Sequence, residues 1–175
     1  MTTSETPPVE IAPALLFDAL DVGYWQVAAH LKQFFISRRG RELYGVEGES
    51  SRPLVDRVRA CVDPSDLERV RLQVLDSIGR REPFHFDVAV TRENDGARRV
   101  LRVRGRTIAE GPLAGFTVGT LVDVTDEVRA LAELAATRLQ LEAAERIGET
   151  GSWSWELRTG EMRWSREAYR IAHVP

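Results

Sequence analysis

The chain is short of the residues on which most small-site chemistry depends. Its 175 residues include one cysteine and three histidines. The lone Cys61 excludes an intramolecular disulfide framework and suits a reducing compartment. His30, His85 and His173 stand apart, with no cysteine or carboxylate at metal-ligand spacing, so no metal site is expected. No apolar run approaches the roughly 18 residues that a membrane span requires. The polar, Pro-rich start carries no basic residues, which argues against a signal peptide; a cytoplasmic location is expected. There is no Gly-rich phosphate loop, nucleophile–base pair or phosphoacceptor-histidine motif, and so no enzyme is expected in this stretch. A formal charge of −3 supplies no electrostatic reason to expect nucleic acid as a partner.

What is present is ordinary globular material, 43% hydrophobic and 29% charged. Its length fits one domain of usual size plus about a third of another. Residues 1–12 offer little to bury and read as disordered. Pro13 opens a short helix with Leu15, Leu16, Ala19 and Leu20 on one side, and Gly23 breaks it. Tyr24–Ala28 and Gln33–Ser37 read as two strands around a turn near Ala29 to Lys32, followed by a short helix over Arg41–Val46. Asp63 is a ready N-cap, with Pro64 at the first helical position and Asp66 three residues on. The stripe Leu67, Val70, Val74, Leu75 and Ile78 then runs to a stop at Gly79. Phe84, Phe86, Val88 and Val90 alternate with mostly polar partners, and Asn94-Asp95-Gly96 signals a hairpin. Beyond it Leu101, Val103, Gly105 and Thr107 share one strand face while Arg102, Arg104 and Arg106 share the other, which reads as a solvated face.

The stretch GTLVDVT at Gly119–Thr125 organises the rest. It reads as a strand that runs without a loop into a helix, with Thr125 as N-cap and Asp126 and Glu127 in the first turn. Val128 to Ile147 contains neither Gly nor Pro and is rich in good helix formers. Val128, Leu131, Leu134, Leu141 and Ile147 approximate a seam that Arg138 and Glu145 interrupt. Further on, Gly151-Ser152-Trp153 followed by Ser165 repeats Gly23-Tyr24-Trp25 followed by Ser37 with the same step from Trp to Ser. Both stretches lead to a tyrosine, Tyr44 and Tyr169, at different spacings.

Strand and helix order, the Asp63-Pro64 turn and the closing GTLVDVT together resemble a PAS domain, with Asp123, Val124 and Thr125 matching its closing motif. The turn lacks the histidine that the similar PAS subgroup carries. The resemblance implies an α+β fold: a five-stranded antiparallel sheet with helices on one face, followed by a long signalling helix. The expected divisions are 1–12 disordered, 13–124 PAS domain, 125–148 linker or coiled-coil helix, and 149–175 the start of a second PAS copy. The implied role is a sensory and dimerisation module of a bacterial-type receptor, such as a histidine kinase or cyclic-dinucleotide enzyme of a two-component system. Downstream PAS and output domains of the same chain are its expected partners. The alternative is a ligand-free protein-interaction module.

PAS cavities lie between the concave sheet face and the helices; the candidates for the lining here are Val27, Phe86, Val88, Leu101, Val103, Gly119 and Leu121. They are apolar, which fits a small hydrophobic signal or a filled core. No cofactor is expected, a small apolar ligand or a flavin being the alternative. Arg57–Val62 does not match the helix that carries the adduct-forming cysteine in flavin-binding LOV domains, and Leu121 stands where those place a glutamine. Haem through His85, or His85 and Asp87 as an acid–base pair, conflicts with an alternation that turns both away from the apolar face. Leu15, Leu16, Leu20, Phe116, Val118 and Val122 leave an outward apolar surface, and a two-fold homodimer through it is expected.

Overall fold

The structure, a computed structural model, describes residues 12–28, 33–80 and 82–173. The expected disordered start at 1–11, the turn near Ala29 to Lys32 and the side chain of Ile78 lie outside the described residues. Two compact units divide the chain, Met1–Thr125 and Asp126–Pro175.

The first unit runs α1 (Pro13–Ala19), β1 (Gly23–Ala28), β2 (Phe34–Ile36), α2 (Arg38–Tyr44), α3 (Leu54–Cys61), α4 (Pro64–Arg80), β3 (Phe84–Thr91), β4 (Arg98–Thr107) and β5 (Phe116–Asp123). Its strands form one antiparallel sheet in the order β2-β1-β5-β4-β3. Alternation decides which face is covered. Phe84, Phe86, Val88 and Val90 of β3 and Leu101, Val103 and Gly105 of β4 are buried, while His85, Asp87, Arg104 and Arg106 are exposed. On the open face Asp87 holds Arg102 through two bonds of 2.9 Å.

The Asp63-Pro64 turn does more than cap a helix. Asp63 Oδ1 accepts the Ser65 amide at 3.0 Å, as an N-cap should. Asp66, expected to complete a capping box, instead accepts the Ala89 amide of β3 at 3.1 Å, while the Asp63 amide donates to the Ala89 carbonyl at 3.0 Å. Farther along α4, Arg69 donates to the Asp87 carbonyl and Gln73 to the His85 carbonyl. β3 is an edge strand, and these bonds cover the backbone groups that an uncovered edge would offer to another chain.

Two boundaries and one cap differ from expectation. α2 starts at Arg38 rather than Arg41, because the Ser37 hydroxyl caps it by accepting the Gly40 amide; Gly45 ends it at φ 66°. α4 runs through Gly79 to Arg80: nothing about that glycine's position demands a left-handed stop. The Thr125 hydroxyl, expected to cap its own helix, accepts the Val100 amide of β4 at 2.9 Å.

The second unit comprises α5 (Thr125–Gly148, which begins on the last residue of the first unit), β6 (Trp153–Trp155), β7 (Met162–Trp164) and α6 (Arg166–Ile171). The apolar residues of α5 are spread around the helix instead of lying on one stripe, and Leu139 falls outside the expected seam. The hairpin reproduces β1–β2 bond for bond. In the first unit Ser37 Oγ accepts the Tyr24 and Gly40 amides and the Ser37 amide donates to the Tyr24 carbonyl. In the second, Ser165 Oγ accepts the Ser152 and Ala168 amides and the Ser165 amide donates to the Ser152 carbonyl. Trp25 faces Ile36 as Trp153 faces Trp164. The correspondence reaches back into the preceding helices: Asp21 (φ 56°) matches Glu149 (φ 48°), and the Val22–Phe17 backbone bond matches Thr150–Glu145.

Acid should weaken the first unit. Bonding to Arg69, and then to the Ala89 amide, holds the Asp66 carboxyl below its ordinary range; Arg102 does the same for Asp87 and Arg57 for Glu93. Carboxyls with depressed folded values contribute stability that is complete above their unfolded pKa and is lost as pH falls through the folded value. The urea midpoint should therefore hold between about pH 7 and 5 and drop below about pH 4. Asp66→Asn should lower the midpoint at pH 7 and flatten that acid slope; an unchanged slope would exclude this carboxyl as a contributor.

Candidate functional site

The inner face of the sheet is built around one row across four strands. Trp25 of β1 faces Gly119 of β5, Gly119 faces Gly105 of β4, and Gly105 faces Phe84 of β3. The two aromatic rings lie over the two glycines, with centroids 6.2 Å apart, and Phe84 stacks on Phe86 at 5.9 Å. A Cβ on Gly119 would stand 2.6 Å from Trp25 Cζ2 and 2.1 Å from the Arg104 carbonyl oxygen; one on Gly105 would stand 2.5 Å from Phe84 Cζ. Only glycine lets the rings settle there.

Beside this row lies a cavity of about 120 Å³. From the sheet, Phe86, Val88, Val103 and Leu121 line it as expected, joined by Trp25, Phe34 and Ile36. From the helices and the segment linking α3 to α4 come Tyr44, Val58, Val62 and Val70. The other three expected residues sit elsewhere. Leu101 is fully buried in the packed core, Gly119 lies beneath the Trp25 indole, and Val27 is half-buried opposite Phe34 and Thr117. Trp25 already occupies the space above Gly119, so the cavity is displaced toward the helices. The sequence held a signal for this in the pairing of a tryptophan with glycines, but reading it requires the register.

The lining is apolar apart from two donors. Trp25 Nε1 is buried without an acceptor among the described residues. The Tyr44 phenol is pushed well above its ordinary range, first by burial and then by Cys61, and stays neutral. Cys61 is buried behind it with Sγ 3.5 Å from the Tyr44 carbonyl oxygen, and burial pushes its thiol up. Such a space can hold a small neutral, mainly apolar group. His85 and Asp87 stand on the opposite, exposed face.

The second part of the site is where β5 becomes α5. The Val124 amide donates to the Val100 carbonyl at 2.9 Å, and the Val100 amide donates to Thr125 Oγ1 at 2.9 Å. Asp123 Oδ1 accepts both the amide (2.9 Å) and the hydroxyl of Thr125, while its Oδ2 lies 3.6 Å from Arg99. The ladder between β4 and β5 is thus extended by a side chain, and the first residue of α5 is bonded into the sheet. On the outer face Leu15, Leu16, Leu20 and Val122 are exposed, whereas Phe116 and Val118 are half-buried.

This arrangement, a five-stranded antiparallel sheet with α2, α3 and α4 over one face and a helix issuing from its central strand, is the PAS fold. The same fold occurs in a sensory box histidine kinase/response regulator from Burkholderia thailandensis E264, with a TM-score of 0.60 and 20% identity over 74% of this chain and 96% of that one. It occurs in the N-terminal domain of a diguanylate cyclase with PAS/PAC sensor from Marinobacter aquaeolei (TM-score 0.51, 17% identity, 61% and 97% of the two chains). The PAS domain of a Colwellia psychrerythraea protein has a TM-score of 0.51 and 15% identity, over 65% and 94% of the two chains. In sequence, the chain is 25% identical over 135 residues to the two-component sensor PprA of Pseudomonas aeruginosa. That alignment takes in 74% of this chain and 14% of the length of PprA. No family model matches the chain. No helix among the described residues is long and apolar enough to cross a membrane.

The glycine row carries a direct test. Gly119→Ala should destabilise the first unit by about 1–3 kcal/mol through overpacking against Trp25 and the Arg104 carbonyl. Gly79→Ala, where an added Cβ meets nothing within 4 Å, should stabilise α4 by roughly 0.5–1 kcal/mol. Urea denaturation of both variants checks the contrast, and equal effects would show that the rings do not constrain Gly119.

Proposed function

We propose that the first unit is the sensory and dimerisation module of a bacterial-type signal-transduction receptor, and that it transmits its state through α5 to an output domain of the histidine-kinase or cyclic-dinucleotide type. The observation that carries this reading is the continuous bonding from β4 and β5 into the first residue of α5. A shift of β5 relative to its neighbours displaces the start of α5, because one residue, Val124, separates strand from helix. The two-component sensor PprA and the sensory histidine kinase with the same fold support the assignment. We read residues 149–175 as the first hairpin and helix of a second PAS copy, on the strength of the repeated serine bonds.

A second reading, a ligand-free interaction module, is favoured by one observation: Trp25 and Phe84 fill much of the inner face themselves. An absorbance spectrum and native mass of freshly purified protein separate the two, since a bound chromophore or small molecule excludes the second.

Thr125→Val removes the hydroxyl that joins Val100 to Asp123. It should cost about 1–2 kcal/mol by leaving the Val100 amide without its acceptor, and abolish signal-dependent output in the full receptor while the first unit stays folded. Normal regulation by that variant would refute the coupling.

The exposed Leu15, Leu16 and Leu20, with Phe116, Val118 and Val122, are assigned to a two-fold homodimer. Analytical ultracentrifugation at about 100 µM, where weak dimers still form, should show a dimer that Leu16→Asp/Leu20→Asp converts to monomer. A wild-type chain that is strictly monomeric at that concentration would overturn the assignment.

A further inference from the structure

The helices over the inner face of the first unit are not held alike. The Ser37 hydroxyl fixes the start of α2 to β1 through the Tyr24 amide, and Asp66, Arg69 and Gln73 bond α4 to β3 along its length. α3 has fewer ties. Among the described residues, the side-chain hydrogen bonds that join it to the rest of the unit come from Arg57 and Cys61 alone. Its start has no side-chain cap, and residues 47–53 before it are exposed. Gly48 in that segment has φ 75°, and a Cβ added there would meet nothing within 4 Å. The other end is fixed: Val62 bridges Val90, and the Asp63 amide donates to the Ala89 carbonyl at 3.0 Å.

The strong tie is Arg57, since the Cys61 thiol is a weak donor. Arg57 is only 7% exposed. Its Nε donates to Glu93 Oε2 at 2.8 Å, and Nη2 bonds the same oxygen. Nη2 also donates to the Glu47 carbonyl at 3.0 Å and Nη1 to the Gly48 carbonyl at 3.3 Å, so one guanidinium holds both α3 and the exposed segment before it. Glu93 stands in the β3–β4 turn, where its own amide donates to the Tyr44 carbonyl at 3.0 Å. Val58, the residue after Arg57, lines the cavity, and so does Val62 one turn on. A buried guanidinium deprived of its carboxylate is strongly destabilising where it stands. Outward movement of α3 relieves that cost by returning the charge to water, and the same movement uncovers the cavity.

We infer that α3 is a lid on the cavity of the first unit, hinged at Val62–Asp63, and that the Arg57–Glu93 pair is its latch. Whatever enters or leaves the cavity passes when that pair parts. The use of such a lid in admitting a signal rests on the sensory reading of the first unit. Opening is measured without reference to output, so a lid that fails to open and a receptor that fails to signal are separate results.

The test places a thiol on the cavity floor. In the full chain, Cys61→Ala/Val88→Cys puts the only thiol on β3, on the wall facing the lid. Its alkylation by iodoacetamide should proceed at a rate nearly independent of low urea, the mark of local opening. Adding Glu93→Gln should speed alkylation at least about tenfold by weakening a charge-assisted bond. Adding Asp87→Asn, which breaks the pair with Arg102 on the open face, should leave the rate unchanged. Hydrogen exchange of the unmodified chain and of Glu93→Gln alone gives a second measurement that needs no introduced thiol. The α3 amides should exchange at least about tenfold faster in Glu93→Gln while those of β4 keep their rate. Alkylation that follows global unfolding, equal acceleration by Asp87→Asn, or equal acceleration of α3 and β4 exchange would each overturn the inference.

Discussion

Two facing glycines, Gly105 and Gly119, set the condition on which the interior of the first unit rests. They sit opposite each other at the centre of the sheet, and the rings of Trp25 and Phe84 lie across them. A glycine inside a strand weakens it, because it brings backbone freedom and no side chain to pack. Here the cost is offset by aromatic rings packed over the glycine backbone, each contributing on the order of 1.5–3 kcal/mol of apolar burial. The cavity is a consequence of this row: with the rings pressed onto the sheet, the remaining space lies toward Tyr44, Val58, Val62 and Val70.

The same unit shows how an open sheet protects its edge without closing into a barrel. Asp63 and Asp66 take both backbone groups of Ala89, and Arg69 and Gln73 take the carbonyls of Asp87 and His85. One turn therefore starts α4 and seals β3. The missing histidine of the related turns matters little for this job, since a side-chain oxygen at Asp66 and a backbone amide at Asp63 suffice. At the other end of the structure, Thr125 uses a comparable device, inserting a side-chain oxygen where the β4–β5 ladder would otherwise end. In both places a side chain at a helix start finishes a strand's hydrogen bonding, which ties the helix to the sheet more firmly than apolar packing alone.

The repeat adds a chemical comparison to a geometric one. The serine that links hairpin to helix is kept with all three of its bonds, at Ser37 and Ser165. The positions around it diverge. The i,i+3 pair Arg39–Glu42 becomes Glu167–Arg170, the same interaction with its polarity reversed. Phe17 becomes Glu145. What is kept satisfies backbone groups that every copy of the hairpin must satisfy; what differs lies in side chains of the helices on either side of it.

Local pattern determined much of this protein. The two-residue alternation in β3 and β4 assigned faces correctly, since adjacent residues on a strand must point opposite ways. The run GTLVDVT placed the strand-to-helix junction, and the matched Trp-to-Ser spacing located the second hairpin. Four of the seven expected cavity residues, Phe86, Val88, Val103 and Leu121, line the cavity. Tertiary structure decided the rest. The helical wall of the cavity, the reach of Asp66 to Ala89 and of Thr125 to Val100, and the burial of Glu145 all join residues brought together by the rest of the fold. In the first unit they depend on the order β2-β1-β5-β4-β3, which sets the last strand between the first and the fourth. Periodicity is written in neighbouring residues and can be read from them. Register between distant strands is fixed by the summed fit of many contacts, such as rings over glycines, and no single segment contains that information.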